Sequence, residues 1–231
     1  MRPHPAVAER LGRLAPDQRA AATAPPGPVL CVAPAGSGKT TTLVARVAWL
    51  VDSGVDPATI AAITFNRRAA EELTERLRSA LAPLVSPAVG APGQEPALVR
   101  VRTFHALGLE ILREAGELVA PLLDRETVLR TALPQSSAAE RRRLDTVISR
   151  LKLDLGVTAD EVAGDPDAGP SARAFVAYER ALAETGGLDF DDLVVRAIRL
   201  LEANPGIVGV WRSRCAHLLV DEAQDLDRSQ L

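Results

Sequence analysis

The sequence predicts an α/β protein in which a parallel sheet is flanked by helices and interrupted by a helical insertion. Short apolar runs bounded by turn residues alternate with amphipathic helical patterns, which is typical of parallel sheets with right-handed crossovers. A long middle stretch, residues 116–185, is charged and helical in pattern and contains no run typical of a strand. Hydrophobic residues make up 47% of the chain and charged residues 25%, as in globular proteins that bury a sizeable core.

The strands are predicted from apolar runs, because strands buried on both faces lack polar alternation. These runs are Val29–Ala33, Ile60–Phe65, Leu98–Thr103 and Leu218–Asp221. Residues 83–97 are rich in Pro, Gly, Ala and Ser and predict an irregular linker before the third strand.

The helices are predicted from apolar residues that recur every three or four positions. One helix, Gly38–Val51, carries Leu43, Val47 and Leu50 on one face. The next, Arg67–Leu81, carries Leu73, Leu77 and Leu81. After Gly187, a helix that includes Phe190, Leu193, Val194, Ile198 and Leu201 returns the chain to the sheet. We therefore predict one α/β domain from residues 1–115 and 186–231, with 116–185 as its insertion.

Charge, cysteine content and hydropathy exclude several classes of protein. The formal net charge of −3 gives no global basic field, so any nucleic-acid contact must come from local patches. Cys31 and Cys215 lie far apart and in no C-x-x-C pair, which predicts reduced cysteines in or near strands rather than a zinc site or disulfide scaffold. No run of about 18 apolar residues occurs, so we expect a cytoplasmic protein without a membrane partner.

A glycine-rich segment, Ala33–Thr40, follows the first predicted strand and opens a predicted helix. This is the setting of a P-loop, whose backbone N–H groups hold phosphate oxygens at a helix N-terminus. Lys39 would reach the β- and γ-phosphates of ATP, and the Thr40 hydroxyl would bind Mg²⁺. Lys39 is one of only two lysines among 27 basic residues, which favours a specific need for a compact ammonium there.

Two adjacent carboxylates, Asp221 and Glu222, end the last predicted strand. Ligands of open α/β sheets bind at the carboxyl ends of strands. Asp221 would hold Mg²⁺, directly or through water, and Glu222 would orient and deprotonate the attacking water. Together with the P-loop, this pair predicts a P-loop NTPase that uses ATP and Mg²⁺.

At this point the chain resembles the UvrD/Rep-type superfamily 1 DNA helicases. The resemblance runs from the Q motif to motif II, through Leu14–Arg19 (Q motif), Ile63–Leu73 (motif Ia), Arg102–His105 (motif Ib), Gly187–Leu193 and Asp221–Asp225 (motif II). It implies a RecA-like motor domain whose helical insertion is the family's accessory 1B subdomain.

The resemblance also assigns site residues. It implies that Gln18 binds the adenine edge and that Gln224 joins Lys39, Asp221 and Glu222 in catalysis. The implied nucleotide-binding residues are Gln18, Ala35, Gly36, Ser37, Gly38, Lys39, Thr40 and Thr41, with Thr40 and Asp221 as metal ligands.

Contacts with single-stranded DNA are predicted at two Thr-Phe pairs, which stand at predicted strand ends. An aromatic ring there can stack on an unpaired base, or it can fill the core, where most phenylalanines lie. The resemblance favours DNA contact for Phe65 and leaves both alternatives open for Phe104. The predicted DNA-binding residues are Thr64, Phe65, Arg68, Thr103, Phe104 and His105.

The leading functional hypothesis is an ATP-dependent 3′-to-5′ DNA helicase or translocase that acts on single-stranded DNA and its junctions with duplex. Motifs III to VI and the second RecA-like domain lie outside this sequence by the same resemblance, so we expect poor ATP hydrolysis by the chain alone. Two alternatives stay open, namely a binding or regulatory module without turnover and a P-loop NTPase of another class, such as a nucleotide kinase. The sequence leaves open a role in DNA repair, recombination or plasmid replication.

Overall fold

The computed structural model describes residues 2–84, 99–117, 120–155 and 158–230. The first half contains α1 (Pro5–Gly12), α2 (Pro16–Ala22), α3 (Lys39–Asp52), β1 (Ile60–Thr64), α4 (Arg67–Leu81), β2 (Arg100–Thr103) and α5 (Phe104–Glu114). The second half contains α6 (Arg125–Ala132), α7 (Ala138–Leu153), α8 (Ala159–Ala163), α9 (Pro170–Glu184), α10 (Asp192–Ala203), α11 (Pro205–Arg214) and β3 (His217–Val220). Short 3₁₀ helices lie at Pro57–Thr59, Ala223–Asp225 and Arg228–Gln230.

The strands form a parallel sheet in the order β2-β1-β3. β1 is central and buried along its whole length, which explains its apolar sequence. The register pairs Thr64 with Thr103 and Ile63 with Val220, so the carboxyl ends of all three strands lie at one edge. The predicted α/β class, with a parallel sheet flanked by helices, is confirmed.

Helices α3 and α4 pack with the sheet in one hydrophobic core. Val47 of α3 and Leu73 and Leu77 of α4 are buried in the same cluster as Ile60 of β1. The α4 stripe follows from apolar residues at i+4 spacing, which fall on one helix face. The two predicted helices are therefore confirmed, α4 with the predicted bounds and α3 within one residue of them.

The predicted strand at Val29–Ala33 is wrong, because this segment has no regular structure and is not part of the β2-β1-β3 sheet. Leu30 is 80% exposed and Val32 88% exposed. Cys31 is exposed too, contrary to the expectation of a cysteine packed in or near a strand. An apolar run becomes a buried strand only where a neighbouring strand takes up its backbone hydrogen bonds, and composition alone does not report that neighbour.

The chain divides into two compact units. The first, called the sheet unit, consists of Met1–Thr103 and Gly209–Ala223, and the second, called the helical unit, consists of Phe104–Val208 and Gln224–Leu231. Helices α5 and α10 thus belong to the helical unit, whereas the sequence assigned residues 104–115 and 186–208 to the α/β domain. These helices pack on each other, which a one-dimensional pattern does not show. The assignment of the units to motor domain and insertion stays a prediction.

The helical unit has its own core, formed by α6, α7 and α9 around Leu129, Ile148 and Tyr178. Among the described residues of 116–185, the regular elements are the helices α6 to α9, as predicted, and the stretch also has an isolated β-bridge at Leu122. Residues 85–97 of the predicted linker, and Leu98 of the predicted third strand, lie outside the described residues.

Helices α5 and α10 approach closely at Gly108. A Cβ placed on Gly108 would lie 2.4 Å from the Leu193 carbonyl oxygen. Any residue with a side chain would therefore clash with the α10 backbone at this position. Within the part of the chain that the structure describes, no helix is both long enough and apolar enough to cross a membrane.

Candidate functional site

The glycine-rich segment turns sharply into α3. Gly36 has a φ of 77° and Gly38, the N-cap of α3, a φ of 84°, in the left-handed region that glycine adopts without steric cost. The turn is closed by the Ser37 N–H, which donates to the Pro34 carbonyl at 3.3 Å. It precedes a helix of 14 residues, whose first N–H groups and dipole suit an anion.

The Lys39 ammonium lies over this turn. Its Nζ donates to the carbonyl oxygens of Ala33 at 3.3 Å and Pro34 at 3.5 Å. The same Nζ is 3.8 Å from Oε2 of Glu222, which follows β3 in the sequence. The structure therefore brings together the basic residue of the P-loop segment and the second acid of the strand end.

Thr40 and Asp221 form a second contact between the same two segments. The Thr40 hydroxyl donates to Oδ2 of Asp221 at 3.4 Å, and the Asp221 N–H donates to the Ile63 carbonyl at 2.9 Å, which fixes the acid beside β1. Hydroxyl and carboxylate oxygens are the donors that Mg²⁺ takes, with waters and phosphates completing its octahedron. Among the described residues no group of three or more His, Cys, Asp or Glu forms a metal cage. The Thr40 hydroxyl and the Asp221 carboxylate are a donor set that fits a Mg²⁺ shared with a nucleotide.

Glu222 has an unusual backbone, with a φ of 54° in a residue that is not glycine. Such conformations cost free energy and cluster at functional sites. Its N–H donates to Asp221 Oδ1 at 3.1 Å, so the turn after β3 is held by the neighbouring acid. Gln224 is exposed within the 3₁₀ helix Ala223–Asp225, and its catalytic role stays a prediction.

Gln18 links α2 to the P-loop segment. Its Oε1 accepts from the Ala15 N–H at 3.0 Å, and its Nε2 donates to the Ser37 carbonyl at 2.6 Å. An amide has two N–H groups and two lone pairs on its oxygen, so one of each is left for a ligand. The predicted adenine contact remains a prediction, and the structure adds a second role in holding the loop.

The remaining nucleotide-binding predictions lie on the same loop. Ala35 and Thr41 are exposed. The Ser37 hydroxyl is buried and has no hydrogen-bond partner among the described residues, a situation that costs free energy unless a ligand or water supplies the partner. This unsatisfied hydroxyl in a phosphate-type turn fits a bound polyphosphate.

In the sheet unit, the predicted DNA-binding residues lie at the carboxyl ends of β1 and β2. Phe65 is 56% exposed and free to stack, and Arg68 is exposed. Thr103 lies opposite Thr64. Thr64 itself is buried, and its hydroxyl donates to the Asn66 carbonyl at 3.2 Å, so in this conformation it shapes the turn that presents Phe65.

In the helical unit, Phe104 and His105 take different positions at the start of α5. Phe104 packs against Leu153, Val194 and Val195, which favours the core alternative for this phenylalanine. His105 stacks on Phe190, with ring centroids 4.1 Å apart and planes at 10°.

Phe190 is a candidate that the sequence reasoning missed. We predicted it on the buried face of a helix, but α10 begins at Asp192 and Phe190 is 58% exposed. Asp189 and Asp192 bond reciprocally, each backbone N–H donating to the other's carboxylate at 2.9 Å. This arrangement resembles a capping box with Asp189 as the cap, and the D-x-x-D spacing could have placed Phe190 at the very start of the helix, ahead of its buried face.

Comparison with known proteins agrees with this geometry. Residues 14–231 match the family described as UvrD/REP helicase N-terminal domain. The chain is 34% identical over 248 residues to the ATP-dependent DNA helicase UvrD1 of Mycobacterium tuberculosis, covering 99% of this chain and 31% of that protein. It is 31% identical over 235 residues to the ATP-dependent DNA helicase PcrA of Staphylococcus aureus, covering 95% of this chain and 31% of that protein. The chain thus spans about a third of the length of these relatives, and it belongs to the UvrD/REP helicase N-terminal domain family.

Proposed function

We propose that this chain is the ATP-binding portion of an ATP-dependent DNA helicase that translocates 3′ to 5′ along single-stranded DNA. The observation that carries the proposal is the double contact of one loop with one strand end, Lys39 with Glu222 and Thr40 with Asp221. The relatives are ATP-dependent DNA helicases, which supports both the proposed reaction and DNA as its substrate.

Each residue has a role in ATP binding that its position supports. The N–H groups at the start of α3 bind the phosphates, and Lys39 exchanges Glu222 and the loop carbonyls for β- and γ-phosphate oxygens. Thr40 and Asp221 would hold Mg²⁺, which would supply positive charge to neutralise charge that develops on the phosphates. Glu222, released from Lys39, accepts a hydrogen bond from the attacking water and takes its proton.

Full activity requires groups beyond this chain. The family resemblance implies a second RecA-like domain that brings arginines to the γ-phosphate, in cis or from a partner. An arginine finger is worth about 10³–10⁵ in rate in related phosphoryl transfers. We therefore expect the 231-residue chain to bind Mg-ATP and to hydrolyse it slowly.

DNA contact is proposed separately for each unit. In the sheet unit, the exposed Phe65 ring and the Arg68 guanidinium are available to a base and a phosphate. In the helical unit, the exposed Phe190 ring, backed by His105 at 4.1 Å, presents a flat apolar face of the kind on which unpaired bases stack.

The central test is binding of a fluorescent ATP analogue with and without Mg²⁺. Lys39→Ala removes a charge-assisted contact and is expected to weaken binding about 10-fold or more. Arg13→Ala, which removes an exposed cation paired with Glu9, is the matched control. Unchanged affinity in the Lys39 variant would overturn the proposal, and in a protein of the relatives' length the same variant should lose ATP-driven unwinding.

The same titration separates the alternatives. A module that binds only DNA gives no signal with the ATP analogue, whereas a nucleotide kinase gives a signal that single-stranded DNA does not shift. The intact set of Lys39, Asp221 and Glu222 speaks against a degenerate site. We expect nucleotide affinity to change when dT oligonucleotides are added.

A further inference from the structure

The His105–Phe190 stack rests on a buried ion-pair chain that begins at Arg125 of α6. Nη2 of Arg125 lies 2.6 Å from Oδ2 of Asp191 and 2.9 Å from Oδ2 of Asp189. The other oxygen of Asp191, Oδ1, lies 3.4 Å from Nε2 of His105. One guanidinium, 13% exposed, therefore holds the residues on both sides of Phe190 and, through Asp191, the ring that stacks on it.

The two acids that Arg125 contacts, Asp189 and Asp191, are ionised at neutral pH. Burial opposes ionisation of Asp191, but hydrogen bonds from His105, Ser149 and Arg125, and the charge of Arg125, hold the pKa of its carboxyl well below the ordinary value. Burial likewise opposes ionisation of Asp189, yet the charges of Lys152 and Arg125 lower its pKa. Both acids are therefore carboxylates, and both accept a charge-assisted hydrogen bond from Nη2 of Arg125.

The exposed ring needs such support. Phe190 is outside α10 and more than half exposed, so packing alone does not determine where its ring points. A base-stacking platform must keep its ring in one orientation before the ligand arrives, because ordering a side chain on binding costs affinity. The ion pairs of Asp189 and Asp191 with Arg125 hold the residues on both sides of Phe190, and the stacked His105 ring holds its side chain.

We propose that Arg125 is a positioning residue for single-stranded DNA, acting through Asp191 and His105 to hold the Phe190 ring as a base-stacking platform. This inference rests on the proposed DNA-binding function. Arg125 itself need not touch DNA. Its guanidinium is bound to Asp189, Asp191 and Asp145, which directs it into the helical unit.

The chain offers a matched control in Lys152 of α7. Its ammonium is 4% exposed and pairs with Glu179 at 3.0 Å, Asp189 at 3.0 Å and Asp192 at 2.7 Å. Lys152 is thus a buried cation of the same cluster that shares Asp189 with Arg125 but has no ion pair with Asp191. Loss of either cation leaves buried carboxylates uncompensated and destabilises the unit, but only loss of Arg125 removes the contact with Asp191, the residue that bonds His105.

The first measurement needs no DNA. The chain contains three histidines, so the ring signals of His105 can be assigned by NMR with a His105→Ala variant. Stacking on Phe190 shifts these signals by ring current. We expect Arg125→Met to move the His105 signals most of the way to random-coil values and Lys152→Met to leave them in place. An unshifted His105 in a folded Arg125 variant overturns the positioning role.

The second measurement is the affinity of the chain for a fluorescent dT oligonucleotide. Phe190→Ala is expected to weaken binding about 5- to 150-fold, the range of one base stack. Arg125→Met is expected to weaken binding in the wild-type background and to have little further effect on Phe190→Ala, because residues that act through one contact are not additive. Lys152→Met, measured at a temperature at which the variant is folded, should bind the oligonucleotide with wild-type affinity.

The outcomes separate two failures. If Arg125→Met lowers the oligonucleotide affinity equally in the wild-type and Phe190→Ala backgrounds, Arg125 does not act through Phe190. That result overturns the positioning role. Wild-type affinity in Phe190→Ala overturns the platform, and with it this inference, but leaves the ATP site of Lys39 to its own test. If Arg125→Met does not fold, Asp191→Asn carries the test, because it keeps Arg125 and Lys152 but replaces the carboxylate that links Arg125 to His105. The His105 signals and the oligonucleotide affinity should then change as predicted for Arg125→Met, and unchanged values in a folded Asp191 variant overturn the positioning role.

Discussion

The ammonium of Lys39 and the carboxylate of Glu222 lie 3.8 Å apart, and their side chains are 25% and 42% exposed. A pair this open to water is worth little as a stabilising salt bridge. The pair matters because Glu222 and a γ-phosphate would compete for Lys39. A γ-phosphate entering the loop would attract Lys39 and repel Glu222. The contact therefore has the properties of one that a bound nucleotide would open.

Glu222→Gln follows from this competition. The amide no longer repels a γ-phosphate and no longer accepts a proton, so we predict unchanged or few-fold tighter ATP binding and a loss of hydrolysis of about 10²–10⁴-fold. The measurements are analogue titration of this chain and steady-state turnover in a protein of the relatives' length. Wild-type turnover would remove Glu222 from the role of base.

Asp221→Asn tests the metal site. The substitution keeps an oxygen near Thr40 but removes the charge that favours Mg²⁺. We predict that Mg²⁺ no longer increases affinity for the ATP analogue, whereas affinity without Mg²⁺ changes little. Asp160→Asn removes the same charge from an exposed position in α8 and should retain the full Mg²⁺ effect. A persistent Mg²⁺ effect in the Asp221 variant would show that the metal is held elsewhere.

Substitution of three glycines by alanine, one at the end of α1 and two in the P-loop segment, should lower stability and nucleotide affinity in a graded series. Gly12→Ala is expected to be benign, because Gly12 ends α1 with open space around it. Gly36→Ala imposes a left-handed conformation at about 1–2 kcal/mol without a contact, since nothing lies within 4 Å of its Cβ. Gly38→Ala adds a contact of 2.9 Å with Gln18 Nε2 and should cost most.

Urea unfolding and analogue binding measure this series. The Gly38 contact involves the end of a side chain, so Gln18 must give up its bond to Ser37 for the alanine to fit. Gly38→Ala should then lose less in a Gln18→Ala background than in the wild type. Equal losses in both backgrounds would mean that the backbone strain of Gly38, and not the Gln18 contact, determines the cost.

The sequence was sufficient for features whose cause is local. The bounds of α4 follow from apolar residues at helical spacing, and the place of Asp221 follows from the rule that sites form at the carboxyl ends of parallel strands. The sequence was insufficient where contact with a distant segment determines the structure. Val29–Ala33 has the composition of a strand but no neighbour in the sheet, and Phe104 and Phe65 look alike in sequence although only one packs in a core.

The buried charge cluster was also missed, for a related reason. Arg125, Lys152 and Asp191 stand in three separate segments, each of which looks like an ordinary charged helix or turn. Only packing of α6, α7 and α10 shows that these charges are buried and paired. The single local signal was Lys152, the second of two lysines in an arginine-rich chain.

Acid should destabilise the helical unit through this cluster. Burial opposes ionisation of Asp191 and Asp189, but their hydrogen bonds and cationic neighbours lower the pKa of both in the folded state. A carboxyl with a lowered folded pKa contributes stability that is present above its unfolded pKa of about 3.9 and is lost as pH falls through the folded pKa. Glu179 has the opposite effect, because burial raises its pKa: its contribution to stability is present below its unfolded pKa of about 4.3 and is lost as pH rises through the folded pKa.

We therefore predict a melting temperature that varies little from pH 7 to 5 and falls steeply below about pH 4. Asp191→Asn should lower the melting temperature at pH 7, because Arg125 loses a charged partner, and should make the fall below pH 4 shallower. Asp160→Asn, at an exposed position, should leave the profile unchanged. Calorimetry across this range is the measurement, and an Asp191 variant with the full wild-type acid slope would show that other carboxyls carry the dependence.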